Sequence, residues 1–247
     1  MKTLLGGLAI ALSSIAASQA ADLKVLAGGS LTAVLGELGP QFEKASGHKL
    51  TIEFGSTPQL IKQVTSGAPF DLAVVPAELF KDTGAKARFV PGPTVNVARV
   101  GYGLAVRAGA PKPDIGTADA LKQALLKAQS IASVPESAAG AYVLKVFERL
   151  GIAEAMKVKM KPQTAPPQIA VAVAKGEAEL GVFLVNALMA PGVELVGPFP
   201  AELQQELVFA AAVAADSKSA EAAKAFIDYL KTTAASAVFR AKGMTPG

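Results

Sequence analysis

The sequence has no cysteine, no tryptophan and a single histidine in 247 residues; aromatics make up 6% of it and charged residues 18%. The lack of cysteine excludes disulfides and thiol catalysis, and with only one histidine zinc fingers and iron–sulfur ligation are excluded too. Charge of one sign is also scarce. Lys and Arg number 24 against 20 Asp and Glu, a net charge of +4, too small and too evenly spread for a nucleic-acid groove. The low charge does not fit a disordered or coiled-coil chain. After the first twenty residues no stretch of about 18 uncharged apolar residues runs without Gly, Pro or polar breaks, so no membrane domain is expected. What is there is a 51% hydrophobic chain with 23 Gly and 16 Pro. This is the composition of an Ala/Val/Leu-rich globular protein with a large core, in one or two domains at about 150 residues each.

Met1 to Ala20 reads as a secretory signal peptide. Lys2 supplies the positive start, Leu4 to Ala17 the apolar stretch, and Ser18-Gln19-Ala20 a small-x-small cleavage site. The apolar run is short for a membrane span and Ser13 and Ser14 interrupt it. No Cys follows it, which excludes a lipid-anchored exported protein. Export without disulfides implies a periplasmic location.

From Ala21 onward, short β runs alternate with helical spacings. Leu23 to Ala27 reads as a strand. Leu31, Val34, Leu35, Leu38 and Phe42 then recur at helical spacing up to Lys44, with Gly47 suited to a left-handed cap. Leu50 to Phe54 is a second strand, Pro58 to Thr65 a second helix, and Asp71 to Val75 a third strand stopped by Pro76. This β-α-β-α-β order implies a parallel sheet with right-handed crossovers. Val97 to Val106 reads as one long strand containing Gly101 and Gly103. A second α/β set follows, with helices at Ala118 to Lys127, Ala139 to Leu150 and Pro167 to Ala174, and strands at Ser130 to Val134, Lys157 to Met160 and Leu180 to Val185. Val193 to Val196 and Leu207 to Ala215 are extended, and helices at Ser219 to Lys231 and Ala234 to Ala241 close the chain. The expected fold is α/β with two lobes and a cleft between them: residues 21–98 begin lobe 1, residues 99–200 form lobe 2, and residues 201–247 return to lobe 1.

Three β–loop–α junctions carry small hydroxyl residues where a helix begins: Gly28-Gly29-Ser30, Gly55-Ser56-Thr57-Pro58 and Glu136-Ser137-Ala138-Ala139-Gly140. At the carboxyl edge of a parallel sheet such loops line the ligand crevice. A helix start exposes unpaired N–H groups and about half a positive charge, and Ser or Thr adds a hydroxyl donor, so an anion can be held without Lys or Arg. Each of these residues alone is also an ordinary helix cap. Other chemistry finds little support. Gly28-Gly29-Ser30 lacks dinucleotide spacing, no Gly-Lys-Ser/Thr phosphate loop is present, and no Ser/His/acid trio forms around His48. His48 sits in a Ser-Gly-His-Lys turn and is expected at the surface, away from the hydroxyl loops. The acids are dispersed, so no metal site and no cofactor is expected. Glu136, beside a hydroxyl loop, is either a helix-start acid or a general base. Arg99 is either a carboxylate ligand or part of a structural ion pair.

The order of these segments resembles the periplasmic molybdate-binding proteins of ABC importers and the wider type II solute-binding superfamily. The resemblance runs over nearly the whole chain after Ala20. Its carriers are Leu26 to Leu31 (LAGGSL), Phe54 to Thr57 (FGST), Ser66 to Val75 (SGAPFDLAVV), Ala139 to Tyr142 (AGAY), Gly176 to Gly181 (GEAELG), and Asp216 to Phe226. It implies an oxyanion held between two lobes by hydroxyls and backbone N–H groups, a membrane ABC permease as partner, and action as a monomer. Ser30 and Ser56 match the first-lobe hydroxyl positions; Ala138 and Ala139 fall near the second-lobe loop that supplies backbone donors. The sequence departs from the pattern in the strand after Gly-Glu-Ala, where molybdate binders carry a tyrosine that contacts the oxyanion. Leu184 occupies that position here, and Asn186 can substitute only by pointing into the cleft. Thr57 replaces the usual second serine. Relatives of these binders include an isomerase of aconitate, so a periplasmic organic-acid isomerase on the same scaffold is the alternative. Its base would be Glu136 or Tyr102.

Overall fold

Beginning at Ala20, the alternation of apolar runs and helical spacings folds as a mixed α/β structure. The computed structural model describes residues 20–247; the signal-peptide reading, Ala20 apart, lies outside them. Strand β1 (Asp22–Gly28) is flanked in parallel by β2 (Lys49–Gly55) and β3 (Leu72–Pro76). Helices α1 (Thr32–Ser46) and α2 (Thr57–Thr65) make the crossovers, α1 being entered through a 3-10 turn at Gly29–Leu31. Every residue of β3 is buried, as an interior parallel strand covered on both faces requires. Gly47 caps α1 at φ 78°, in the left-handed region that favours glycine.

A short helix α3 (Thr83–Lys86) leads to β4 (Val95–Arg107), the element on which the architecture turns. The second set comprises α4 (Ala118–Lys127), β5 (Ile131–Ser133), α5 (Ala138–Arg149), α6 (Ala153–Lys159), β6 (Met160–Pro162), α7 (Pro166–Ala174), β7 (Leu180–Leu184), α8 (Val185–Leu188) and β8 (Val193–Pro198). Strand β9 (Glu206–Val213) returns, followed by α9 (Ala220–Tyr229), α10 (Thr233–Ala241) and the two-residue β10 (Thr245–Pro246). Hydrogen-bonded neighbours run β2-β1-β3-β9-β4-β7-β5-β6, with β8 and β10 also on β4. Up to Gly101, β4 pairs antiparallel with β9; from Tyr102 it pairs antiparallel with β7. One strand thus belongs to two sheets.

The closing helices pack on α1. The Phe42 ring meets Phe226 of α9 at 4.8 Å and Tyr229 at 5.5 Å, and Lys242, after α10, pairs with Glu37 at 3.1 Å. Burial of Leu35, Leu38, Phe42, Phe226 and Phe239 in this layer stabilises it by about 1.5–3 kcal/mol per side chain.

Two expectations fail. Lys157 to Met160 is not a strand: α6 runs to Lys159, and only Met160–Pro162 is extended. Ile152 and Met156, four apart, are both buried while Val158 is 84% exposed, so the helical period wins over the apparent Val158/Met160 alternation. His48 is not at the surface. It is buried, its Nδ1 accepts the Ala21 N–H at 3.1 Å, and its ring stacks on Phe42 at 5.9 Å. The histidine satisfies a backbone donor as β1 begins and covers the end of the core.

The start of α5 approaches the end of β5 so closely that a Cβ on Gly140 would lie 1.8 Å from the Val134 carbonyl oxygen. Gly140→Ala must push helix and strand apart. The expected result is a loss of about 3 kcal/mol, or roughly 10 °C in melting temperature by circular dichroism. A melting point within a degree of the parent would contradict this packing.

Candidate functional site

Three strand ends bring their loops together. The cavity they enclose is lined by Gly28, Gly29 and Ser30 after β1, by Gly55, Ser56 and Thr57 after β2, and by Ser137, Ala138 and Ala139 at the start of α5. Pro76, Pro166, Phe183, Leu184 and Leu207 complete the wall, and no charged side chain takes part. Its volume is only about 20 Å³, somewhat more than one water needs. A cavity of about 500 Å³ lies elsewhere, between α5, α6 and β6, walled by Leu144, Phe147, Met156 and Met160. Its walls are mainly apolar and all come from the second α/β set, whereas loops of both sets meet at the smaller cavity, which is the candidate site.

The hydroxyls around the small cavity differ in what they already do. Ser137 Oγ donates to the Val134 carbonyl at 2.8 Å and accepts the Gly140 N–H at 3.0 Å, so it is spent as a cap. The free donors of that loop are the N–H groups of Ala138 and Ala139, in the first turn of α5. Ser30 and Thr57 are each 9% exposed, and among the described residues neither they nor Ser56 donate a side-chain hydroxyl to a protein acceptor. The Ser56 N–H is taken by Gln59 Oε1 at 2.9 Å, which fixes the loop into α2. Pro58 and Pro166, in the first turns of α2 and α7, have no N–H to offer. Hydroxyls therefore face the cavity from the β1 and β2 ends, and backbone donors from the α5 start.

Asn186 is not on this wall. It is 4% exposed and lines a neighbouring cavity of about 90 Å³, its Nδ2 donating to Ser30 O at 2.8 Å and to Met244 Sδ at 3.4 Å. Its amide thus holds the backbone of a cavity residue and faces elsewhere. Glu136 is exposed and borders the large apolar cavity, which removes it as a base for the hydroxyl cavity. Arg99 pairs with Glu206 at 3.8 Å, the structural alternative of its two readings. Tyr102 is buried at the point where β4 changes sheets. Burial first, and then the nearby Glu78 carboxylate, push its phenol above the ordinary tyrosine range, so it stays a protonated donor.

Leu184 does line the cavity, where the resemblance places a leucine for a tyrosine. Sequence reasoning missed Pro166, although Thr164-Ala165-Pro166 after β6 is a fourth strand-to-helix junction of the same kind. It also missed the wall residues Pro76 and Leu207, which carry no chemical signal of their own.

The family model described as bacterial extracellular solute-binding protein matches residues 23–245. The chain belongs to that family. Among curated relatives, an aconitate isomerase of a Pseudomonas species is 34% identical over 98% of this chain and 95% of its own length. A molybdate-binding protein of Azotobacter vinelandii is 31% identical over 92% of this chain and 91% of its own. The solved periplasmic molybdate-binding protein of Azotobacter vinelandii superposes with a TM-score of 0.76 at 21% identity, covering 90% of this chain and 98% of that one. The sulfate-binding protein of Mycobacterium tuberculosis gives 0.74 at 17% identity, covering 92% and 87%. The fold is therefore the two-lobe α/β fold of periplasmic binding proteins.

The division among the hydroxyls is measurable without a ligand. Ser137→Ala should cost about 1 kcal/mol of unfolding free energy, because it leaves a helix start uncapped. Ser30→Ala, which removes a hydroxyl unused by the protein, should stay within about 0.5 kcal/mol of the parent. Urea unfolding of both variants checks this, and equal losses would contradict the assignment.

Proposed function

We propose that the chain is a periplasmic solute-binding protein that captures a small anion in the hydroxyl-lined cavity and delivers it, as a monomer, to a membrane ABC permease. The observation that carries this reading is the convergence of strand-end loops from both α/β sets on one cavity without a charged side chain. Residues 21–98 and 201–247 are read as one lobe and residues 99–200 as the other. The change of pairing partner along β4 and the packing of α9 on α1 support that division. Ser30, Ser56 and Thr57 are then the hydroxyl donors of lobe 1, and Ala138 and Ala139 the backbone donors of lobe 2. A ligand touching both lobes stabilises the arrangement that brings them together, since only that arrangement makes all the contacts at once. The ligand is an inorganic oxyanion of the molybdate, tungstate or sulfate kind, or a small carboxylate.

A second reading has its own support. The aconitate isomerase relative aligns over 98% of the chain, and the apolar Leu184 on the cavity wall favours a carboxylate over a tetrahedral oxyanion that needs a donor on every side. On that reading the protein is a periplasmic isomerase of a small unsaturated acid.

A thermal-shift panel of molybdate, tungstate, sulfate, citrate and cis- and trans-aconitate tests the capture reading. An anion at 100 times its dissociation constant adds about 2.7 kcal/mol, a rise of several degrees. The rise, measured from each protein's own unliganded melting point, should vanish in the Ser30→Ala/Ser56→Ala double variant, whose baseline falls slightly because Ser56 is the N-cap of α2. A shift of equal size in that variant would remove the cavity as the site. Incubation with trans-aconitate in deuterated water, followed by proton NMR, separates the two readings: a binder returns its ligand unchanged, an isomerase a deuterated product.

A further inference from the structure

The hydroxyl cavity carries donors on only part of its wall. Ser30, Ser56, Thr57 and the start of α5 supply them. The remaining wall, Pro76, Pro166, Phe183, Leu184 and Leu207, brings no side-chain donor, and its two prolines have no N–H. A tetrahedral oxyanion sends oxygens in four directions, so an oxygen turned toward this apolar wall goes unpartnered. A carboxylate sends both oxygens from one carbon. The donors can take both while the rest of the molecule leaves in another direction.

There is room for that remainder. A second cavity of about 270 Å³ adjoins the first and shares Gly29, Gly55, Ser56 and Pro166 with it. Its other walls come from both α/β sets, with Phe54 and Gln59 from the first and Ala165 and Pro167 from the second. The threonine hydroxyls around it are engaged: Thr32 Oγ1 donates to Gly29 O at 2.7 Å, and Thr164 Oγ1 to Gln168 Oε1 at 2.8 Å. No charged side chain lines it.

Phe54 adds an independent observation. Leu50 and Ile52 precede it at alternate positions of β2 and are partly buried against the core. Phe54 continues their face yet is 38% exposed, so an apolar face runs on past the core and into the second cavity. Gly29 stands where the two cavities join. A Cβ there would lie 3.0 Å from Pro166 Cδ, so a side chain at this position would narrow the junction that glycine leaves open. We propose that the second cavity is a subsite for the body of an organic acid. The ligand class is an unsaturated or aromatic carboxylic acid, with its carboxylate on the hydroxyls and the start of α5. Its flat apolar body lies between the Phe54 ring and the Pro166-Pro167 start of α7. This assignment rests on the reading of the hydroxyl cavity as an anion site.

Calorimetric titration tests it with acetate, crotonate, benzoate and cinnamate, and with molybdate and sulfate as anions that have no body. In the parent protein benzoate or cinnamate should bind at least about tenfold more tightly than acetate. That ratio should fall below about threefold in Phe54→Ala, which removes one wall of the subsite, and in Gly29→Ala, which narrows the way into it. If Gly29→Ala does not fold, Phe54→Ala decides alone, since its side chain is exposed. A ratio near one in the parent, or a ratio unchanged in either folded variant, overturns the subsite. Binding of molybdate or sulfate with no binding of the acids also overturns it and keeps the anion site. Binding undiminished in Ser30→Ala/Ser56→Ala, or no binding of any of the six anions, sinks the anion site and the subsite with it.

Discussion

The structure hangs on one strand that serves two sheets. At Gly101, β4 is still paired with β9, and at Tyr102 it is paired with β7. The side chain of Gln204 bridges this change of partner. Its Oε1 accepts the Tyr102 N–H at 2.8 Å and its Nε2 donates to the Tyr102 carbonyl at 2.9 Å. A side-chain amide thus does what a neighbouring strand's backbone would do, so the chain leaves one sheet for the next without a buried orphan. Gly101 makes room for this amide, and Gly103 makes room for the backbone of β8. A Cβ on Gly101 would press on the Gln204 amide at 3.1 Å, and one on Gly103 would lie 2.7 Å from the Gly197 carbonyl. Because both sheets are fixed to the same strand, the ends of β1 and β2 are brought opposite the start of α5, and the cavity exists where they meet.

A site without cations suits an anion that must also be released. A buried Lys or Arg would itself need a partner whenever the ligand left, and an unpaired buried charge is strongly unfavourable. Hydroxyls and helix-start N–H groups are neutral and need only water when exposed, while in a narrow cavity their dipoles act through a low dielectric. The net charge of +4 adds a weak long-range attraction that salt screens. On this account the division of labour among the serines matters. Ser137 is consumed in holding α5 against β5, so that Ala138 and Ala139 can present N–H groups from a rigid turn.

Much of this was legible in the sequence. The β-α-β-α-β opening, the long strand with its two glycines and the hydroxyl residues at the strand ends are local patterns, and the structure places the three loops on one cavity. What was not legible depends on contacts distant in sequence. Ser137 cannot be told from Ser56 by its neighbours; only the approach of Val134 shows that one hydroxyl is spent. His48 looked like a turn residue because its partner, the Ala21 N–H, lies 27 residues away. Glu78 gave no signal at all, in an unremarkable turn two residues after a proline, and becomes visible only through its buried Oε2. Glu136 was singled out for adjacency to a serine, but the helix start turns it outward to another cavity.

Asn186 shows how ligand capture and lobe closure can be one event. Its Nδ2 donates to the carbonyl of Ser30, 156 residues away, whose hydroxyl faces the cavity. On the proposed division, the amide belongs to one lobe and the serine to the other. A ligand accepting from Ser30 Oγ and from the α5 N–H groups fixes the same two bodies that Asn186 already ties. The two attachments reinforce each other, because the first to form removes the rotational freedom that the second would otherwise have to overcome. Alone, one neutral hydrogen bond contributes about 1 kcal/mol, too little to hold two lobes together in water. On the proposed function, the ligand's added contacts would make the joined state dominate, and a partner reading the joined surface would meet loaded protein in preference to empty protein.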